Sequence, residues 1–159
     1  MVAILDATEQ VMETIPLRVR RRVKWGECDP AGVVYTGRFP DYVISAFELF
    51  MRQLLDGAFQ NAEDTHGFGT PCKALSIEFV SSLRPDQEFE VTVLVREMRN
   101  RTFDLDVNAR HMDGKEAFRA RITPITIKRG DRSAGIALPR ILRERLERYR
   151  HACEEKSRQ

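Results

Sequence analysis

Apolar and polar positions alternate with a period of two from Leu17 to Trp25, where Leu17, Val19, Val23 and Trp25 face away from Arg18, Arg20, Arg22 and Lys24. This spacing predicts a half-buried strand. Four later segments repeat the pattern: Leu75, Ile77 and Phe79; Phe89, Val91, Val93 and Val95; Phe103, Leu105, Val107 and Ala109; and Phe118, Ala120 and Ile122, continuing past Pro124 to Ile127. Asp113-Gly114 between the last two supplies residues tolerant of positive φ, which predicts a tight antiparallel hairpin. Pro124 lacks an N–H and is expected at a bulge or an edge.

Two segments change to a period of three and four. Tyr42, Val43, Ala46, Phe47, Phe50, Met51, Leu54 and Leu55 predict a long, mostly buried helix from about Gly37 to Asp56, with Pro40 in its first turn where a missing N–H costs least. Leu142, Leu146, Tyr149 and Cys153 predict an amphipathic helix from Pro139 onward, with Glu144 and Arg148 spaced for an i,i+4 pair. Residues 57–71 show little periodicity and read as a connecting loop. One strand, a buried helix and four antiparallel strands make an α+β protein whose sheet packs around one helix. The expected layout is an N-terminal extension over residues 1–14, one domain over 15–138, and a C-terminal helix and tail over 139–159.

The chain has 159 residues, 42% hydrophobic and 31% charged, so it can build its own core. Its 26 basic and 24 acidic side chains leave a formal charge of +2, against the profile of a strongly basic nucleic-acid binder. No apolar run approaches the roughly 20 residues that span a bilayer. The stretch Met1 to Leu17 carries Asp6, Glu9 and Glu13 and lacks the pattern of a secretory signal. Cys28, Cys72 and Cys153 are widely spaced and odd in number, so neither a zinc site nor a disulfide framework is expected and a cytoplasmic setting is the simplest.

No nucleophile elbow, zincin motif, phosphate loop or dinucleotide fingerprint occurs. His66, His111 and His151 are scattered, and Cys28 has no histidine base near it in sequence, so it reads as a small buried filler. Asp29 opens the turn Asp29-Pro30-Ala31-Gly32, just before the predicted helix. Its carboxylate either stabilises that turn or lies in a cleft where the amides of Thr36 and Gly37 offer partial positive charge to a carbonyl oxygen.

The stretch Val23-Lys24-Trp25-Gly26-Glu27-Cys28-Asp29-Pro30-Ala31-Gly32-Val33-Val34-Tyr35 resembles the first strand and active-site turn of the 4-hydroxybenzoyl-CoA thioesterase family, which has the hot-dog fold. A weaker likeness runs through Gly69-Thr70-Pro71 and Arg99-Asn100-Arg101-Thr102-Phe103, and the fold resemblance covers about Leu17 to Tyr149. It implies that Asp29 is the catalytic carboxylate, that the Thr36 amide polarises the thioester carbonyl, that Thr70 lies near the acyl pocket, and that Arg99 and Arg101 hold coenzyme A phosphates. It also implies subunits that join their sheets in a homodimer or homotetramer with sites at the interface. Where family members commonly show Asn-Tyr and an acidic residue, this chain has Arg38-Phe39 and Ile44, so the acyl pocket is expected to differ. Phe39, Val43 and Phe47 either line that pocket or pack the core.

The expected activity is hydrolysis of an aromatic or medium-length acyl-CoA, with no metal and with coenzyme A as part of the substrate. An acyl-carrier-protein thioesterase and a non-catalytic acyl-CoA-binding hot-dog subunit are the alternatives.

Overall fold

The structure, a computed structural model, describes residues 7–57 and 59–159. Residues 1–6 of the stretch read for a secretory signal lie outside the described residues. The strands are β1 (Glu9–Thr14), β2 (Leu17–Arg22), β3 (Phe68–Gly69), β4 (Cys72–Phe79), β5 (Glu88–Met98), β6 (Phe103–His111), β7 (Glu116–Pro124) and β8 (Ile127–Lys128). The helices are α1 (Phe39–Leu54), α2 (Phe59–His66) and α3 (Arg140–Ser157). Six strands form one antiparallel sheet in the order β1-β2-β5-β6-β7-β4, and β3 pairs with β8 in a separate small ladder.

The alternation read in the sequence sets the faces of this sheet. Leu17 and Val19, then Phe89, Val91, Val93 and Val95, then Leu105, Val107 and Ala109, and finally Phe118, Ala120 and Ile122 all turn one way and are buried. Against them lies the apolar side of α1, with Phe39, Tyr42, Val43, Ala46, Phe47, Phe50, Met51 and Leu54 buried. At roughly 25 cal/mol per Å² of apolar surface removed from water, this contact is the main stabilising term of the fold. α3 covers the rest with Leu142, Leu146 and Tyr149. The Tyr149 hydroxyl accepts from the Leu17 N–H at 2.7 Å and donates to the Val93 carbonyl at 2.7 Å, while its ring meets Phe50 edge-on.

Several details differ from the sequence reading. Glu9–Thr14, expected in a terminal extension, is a sixth strand paired with β2, so the sheet exceeds the five strands expected. The helix expected over Gly37–Asp56 is a 3-10 turn at Thr36–Arg38 followed by α1. The loop expected over residues 57–71 contains α2 and β3. β7 ends at Pro124 opposite a bulge in β4, and Ile127 belongs to the separate β3–β8 ladder. Glu144 pairs backward with Arg140 at 2.5 Å instead of forward with Arg148. The Asp113-Gly114 hairpin forms as expected, with Gly114 at φ +90° and β6 antiparallel to β7. No described helix is long and apolar enough to cross a membrane.

Candidate active site

The turn that carries Asp29 is closed by its own backbone. The Gly32 N–H donates to the Asp29 carbonyl at 2.9 Å, the Asp29 N–H donates to the Val33 carbonyl at 2.9 Å, and Gly32 takes φ +76°. Proline at the second position fixes the bend, and glycine at the fourth accepts the left-handed backbone at no steric cost. Asp29 Oδ1 accepts the Ala31 N–H at 2.9 Å, leaving Oδ2 for another partner. Both readings of Asp29 are therefore compatible within one residue: one oxygen shapes the turn and the second is available.

The chain then returns beside itself. Val34 donates to the Leu83 carbonyl at 2.8 Å and Tyr35 to the Glu27 carbonyl at 2.9 Å, which delivers Thr36 to the start of the 3-10 turn. The Thr36 and Gly37 amides open this helical segment and have no intrahelical acceptor. Both residues are exposed, and the aligned peptides of α1 behind them concentrate partial positive charge at this end. A Cβ on Gly37 would come within 2.6 Å of the Tyr35 ring, so glycine lets that ring lie against the backbone.

Beside Thr36 is an open groove of about 250 Å³ lined by Val33, Val34, Thr36, Phe39, Phe79, Val80 and Ser81 to Leu83. Its floor is aromatic: Phe39 packs edge-on against Phe79 at 4.9 Å and Phe118 at 5.4 Å. Of the three residues weighed for an acyl lining, Phe39 reaches the groove, whereas Val43 is 0% exposed and sits in the core. Phe47 also packs the core. Burial and the nearby carboxylates of Glu27, Asp29 and Asp86 push the Cys28 thiol up, so it stays protonated beside Asp29.

Thr70, Arg99 and Arg101 collect elsewhere. Pro71 accepts from the Ile125 N–H, Arg101 accepts from the Thr126 N–H, and Asn100 accepts from the Leu138 N–H, so these segments share one corner. That corner lies beyond the Cys72 end of β4, while the Thr36 groove lies at its Phe79 end. Eight residues of strand separate the two by about 23 Å at roughly 3.3 Å per residue. Within one chain the expected site residues therefore form two groups.

The two arginines are also unequal. Arg99 makes a forked contact with Asp104 at 2.7 and 3.0 Å and reaches Glu97 at 2.7 Å, whereas Arg101 has no ion pair among the described residues and is exposed. Arg143 of α3 donates to the Arg99 carbonyl at 2.7 Å and brings a further guanidinium to this corner. Sequence patterning reads the arginines of this helix as an anion-binding face or, more commonly, a solvated one, and nothing local signals that α3 brings Arg143 to this corner. Hydrogen bonds from Arg99 hold the Asp104 carboxyl below its ordinary value, with the Thr123 hydroxyl adding to them at 2.7 Å. A depressed folded-state value gives stability that is present above the ordinary carboxylate range and lost as pH falls through the depressed value. Asp104→Asn should therefore lower Tm at neutral pH, with the gap to wild type closing below about pH 4, as thermal melts across pH would show.

A larger concavity of about 450 Å³ lies on the outer face of the sheet, lined by Arg96, Arg119 and Arg121 among others. Its arginines are already paired, Arg96 and Arg121 with Asp106 at 3.3 and 3.1 Å and Arg119 with Glu78 and Glu116, so its field is largely neutralised. The groove at the helix start is the better chemical site.

The described fold is similar to solved thioesterases. A 1,4-dihydroxy-2-naphthoyl-CoA thioesterase from Synechocystis is 20% identical with a TM-score of 0.72, the match covering 81% of this chain and 93% of that one. A DHNA-CoA thioesterase from Staphylococcus aureus is 18% identical with a TM-score of 0.72, covering 89% and 93%. A gentisyl-coenzyme A thioesterase is 19% identical with a TM-score of 0.69, covering 80% and 98%. At these identities the likeness establishes the hot-dog fold. None of the curated proteins matches the chain. The family model described as the thioesterase-like superfamily matches residues 23–146, which takes in the Asp29 turn, α1 and strands β4 to β7. The chain belongs to that superfamily and is a thioester hydrolase of hot-dog fold.

Proposed function

We propose that the protein hydrolyses an acyl-CoA with an aromatic or medium-length acyl group, at sites completed by a second copy of the chain. The observation that carries this reading is the separation of the two residue groups along β4. β4 is an edge strand with a free ladder side, and a second copy pairing antiparallel along it brings the partner's Cys72 end beside this chain's Phe79 end. Asp29, Thr36 and Gly37 of one subunit then meet Arg101 supplied by the other, while Thr70, 2% exposed, stays packed within its own subunit. The exposed side chains support association on this side: Phe79 is 52% exposed, and Tyr35, Ile44 and Val80 are also open.

In this arrangement the acyl group enters the aromatic groove over Phe39. The thioester oxygen faces the Thr36 and Gly37 amides, which stabilise the oxyanion as the carbonyl carbon is attacked. Asp29 attacks that carbon to give an anhydride and release the thiolate, or takes the proton from an attacking water; the family resemblance favours the first. Arg101 and Arg143 offer charge to the phosphates of the carrier, while Arg99 is committed to Asp104 and mainly holds the corner together. An acyl-carrier-protein substrate shares the thioester arm, and activity on the two carriers distinguishes it.

The test is complementation at acyl-CoA well below KM. Asp29→Asn lacks the carboxylate and Arg101→Ala lacks the phosphate contact, so each alone should be poorly active. Mixed one to one under conditions that exchange subunits, they should recover about a quarter of wild-type activity, because half the dimers are mixed and each holds one intact site. Activity no greater than the mean of the two parents would show that Asp29 and Arg101 act from the same subunit or not together.

A further inference from the structure

Glu27 ends a short 3-10 turn over Trp25–Glu27, two residues before Asp29, and its side chain points inward with 13% exposure. Oε2 accepts from the Tyr42 hydroxyl at 2.9 Å and the Lys24 N–H at 2.9 Å, and Oε1 accepts from Arg21 at 3.1 Å. Its main-chain carbonyl accepts the Tyr35 N–H at 2.9 Å, one residue before Thr36. One residue thus grips the first turns of α1 through its side chain and the approach to the helix-start amides through its backbone.

The grip is itself secured. Arg21 donates to Glu9 at 2.6 Å and lies over the Tyr42 ring at 4.7 Å, and Glu9 accepts the Ser45 hydroxyl at 2.6 Å. Strands β1 and β2, the Asp29 turn and α1 all converge on these five side chains. Burial disfavours charge here, yet the Lys24, Tyr42 and Arg21 donors hold the Glu27 carboxyl below its ordinary value. Burial and Glu27 push the Tyr42 phenol up, so it remains a donor. Enclosed ionic groups of this kind often give no more stability than apolar side chains of similar volume. What they supply is a fixed geometry, and a carboxylate misplaced by about 1 Å can cost on the order of a hundredfold in rate.

We infer that Glu27, anchored on α1 by Tyr42 and paired with Arg21, is a positioning residue that fixes the Asp29 carboxylate relative to the Thr36 and Gly37 amides. The inference rests on the reading of Asp29 as the catalytic group. Both Glu27 carboxylate oxygens are taken up by Tyr42, the Lys24 N–H and Arg21, so its effect passes through the Asp29 turn and appears in kcat.

Tyr42→Phe tests this with the least disturbance, since the ring keeps its packing on Phe39 and Phe89 and only the hydroxyl is lost. In folded protein, kcat for an acyl-CoA should fall about tenfold with KM within about twofold. Glu27→Gln cannot accept from both Tyr42 and Arg21, because its amide N–H meets a donor; it should lose at least as much. The double variant should lose no more than the worse single one. In an Asp29→Asn background, Tyr42→Phe should change the residual rate by less than about twofold. If Glu27→Gln fails to fold, Tyr42→Phe carries the test alone. An unchanged kcat, a loss seen only in KM, or a full tenfold loss in the Asp29→Asn background overturns the inference. Full turnover by Asp29→Asn overturns the reading of Asp29 itself, which is a distinct result from loss in Asp29→Asn with normal kcat in Tyr42→Phe.

Discussion

Asp29→Asn is expected to leave the fold and its assembly intact while lowering kcat at least about a hundredfold, the scale of losing a nucleophile or general base. The substitution is well matched to the local geometry. The asparagine carbonyl can still accept the Ala31 N–H, and the Gly32 to Asp29 backbone bond does not involve the side chain, so the turn has what it needs. What is lost is the charge and nucleophilicity of the second oxygen. A single turnover of the wild-type enzyme in heavy-oxygen water tests for the nucleophile: an anhydride opened at the Asp29 carbonyl leaves label in the protein, whereas water attacking the thioester, or an anhydride opened at the acyl carbon, places it in the released acid. Near-wild-type kcat in the folded variant would remove Asp29 from the mechanism.

Phe118→Ala is expected to have the larger effect on stability, about 3–5 kcal/mol, because a fully buried ring is deleted and its neighbours can collapse only in part. Phe118 touches Phe39 and Phe89, and Phe39 in turn touches Phe79 and Tyr42, so this ring supports the floor of the groove from beneath. Urea unfolding gives the loss directly. Activity measured where the variant is still folded should show altered preference among acyl chains, since the floor moves. Phe79→Ala, at an exposed ring, should cost far less stability and shift acyl preference comparably. Equal destabilisation by the two variants would contradict the burial argument.

The sheet and α1 were legible because their side chains alternate or recur with the period of the element that buries them. β1 was not, because its half-buried residues are Glu9, held by Arg21 and Ser45, and Glu13, and a bulge between Val11 and Glu13 breaks the alternation. A polar residue facing inward looks the same in sequence as one facing water. α2 carries too few apolar positions to show a helical stripe. The Asp29 turn was readable because proline and glycine act locally, and Thr36 and Gly37 follow from it. The roles of Glu27 and Tyr42 were hidden, since their meeting spans fifteen residues and depends on how the turn folds back on α1. Likewise nothing in Arg99-Asn100-Arg101 announces that Asp104 occupies the first arginine and leaves the second open.

The two rims of the sheet are unlike. β4 runs without irregularity from Ala74 to Phe79 with its ladder side free, whereas β1 is bent by its bulge and carries Glu13, which is engaged by Arg18 and Lys156. Charges and a bulge make a strand a poor template for another strand. A sheet that accepts a neighbour at only one rim can be extended once and then presents nothing further to extend. The bulge that hid β1 in the sequence would therefore act as a terminator of growth: with two sheets merged along β4 as proposed, it would keep the merged sheet from lengthening into a fibre.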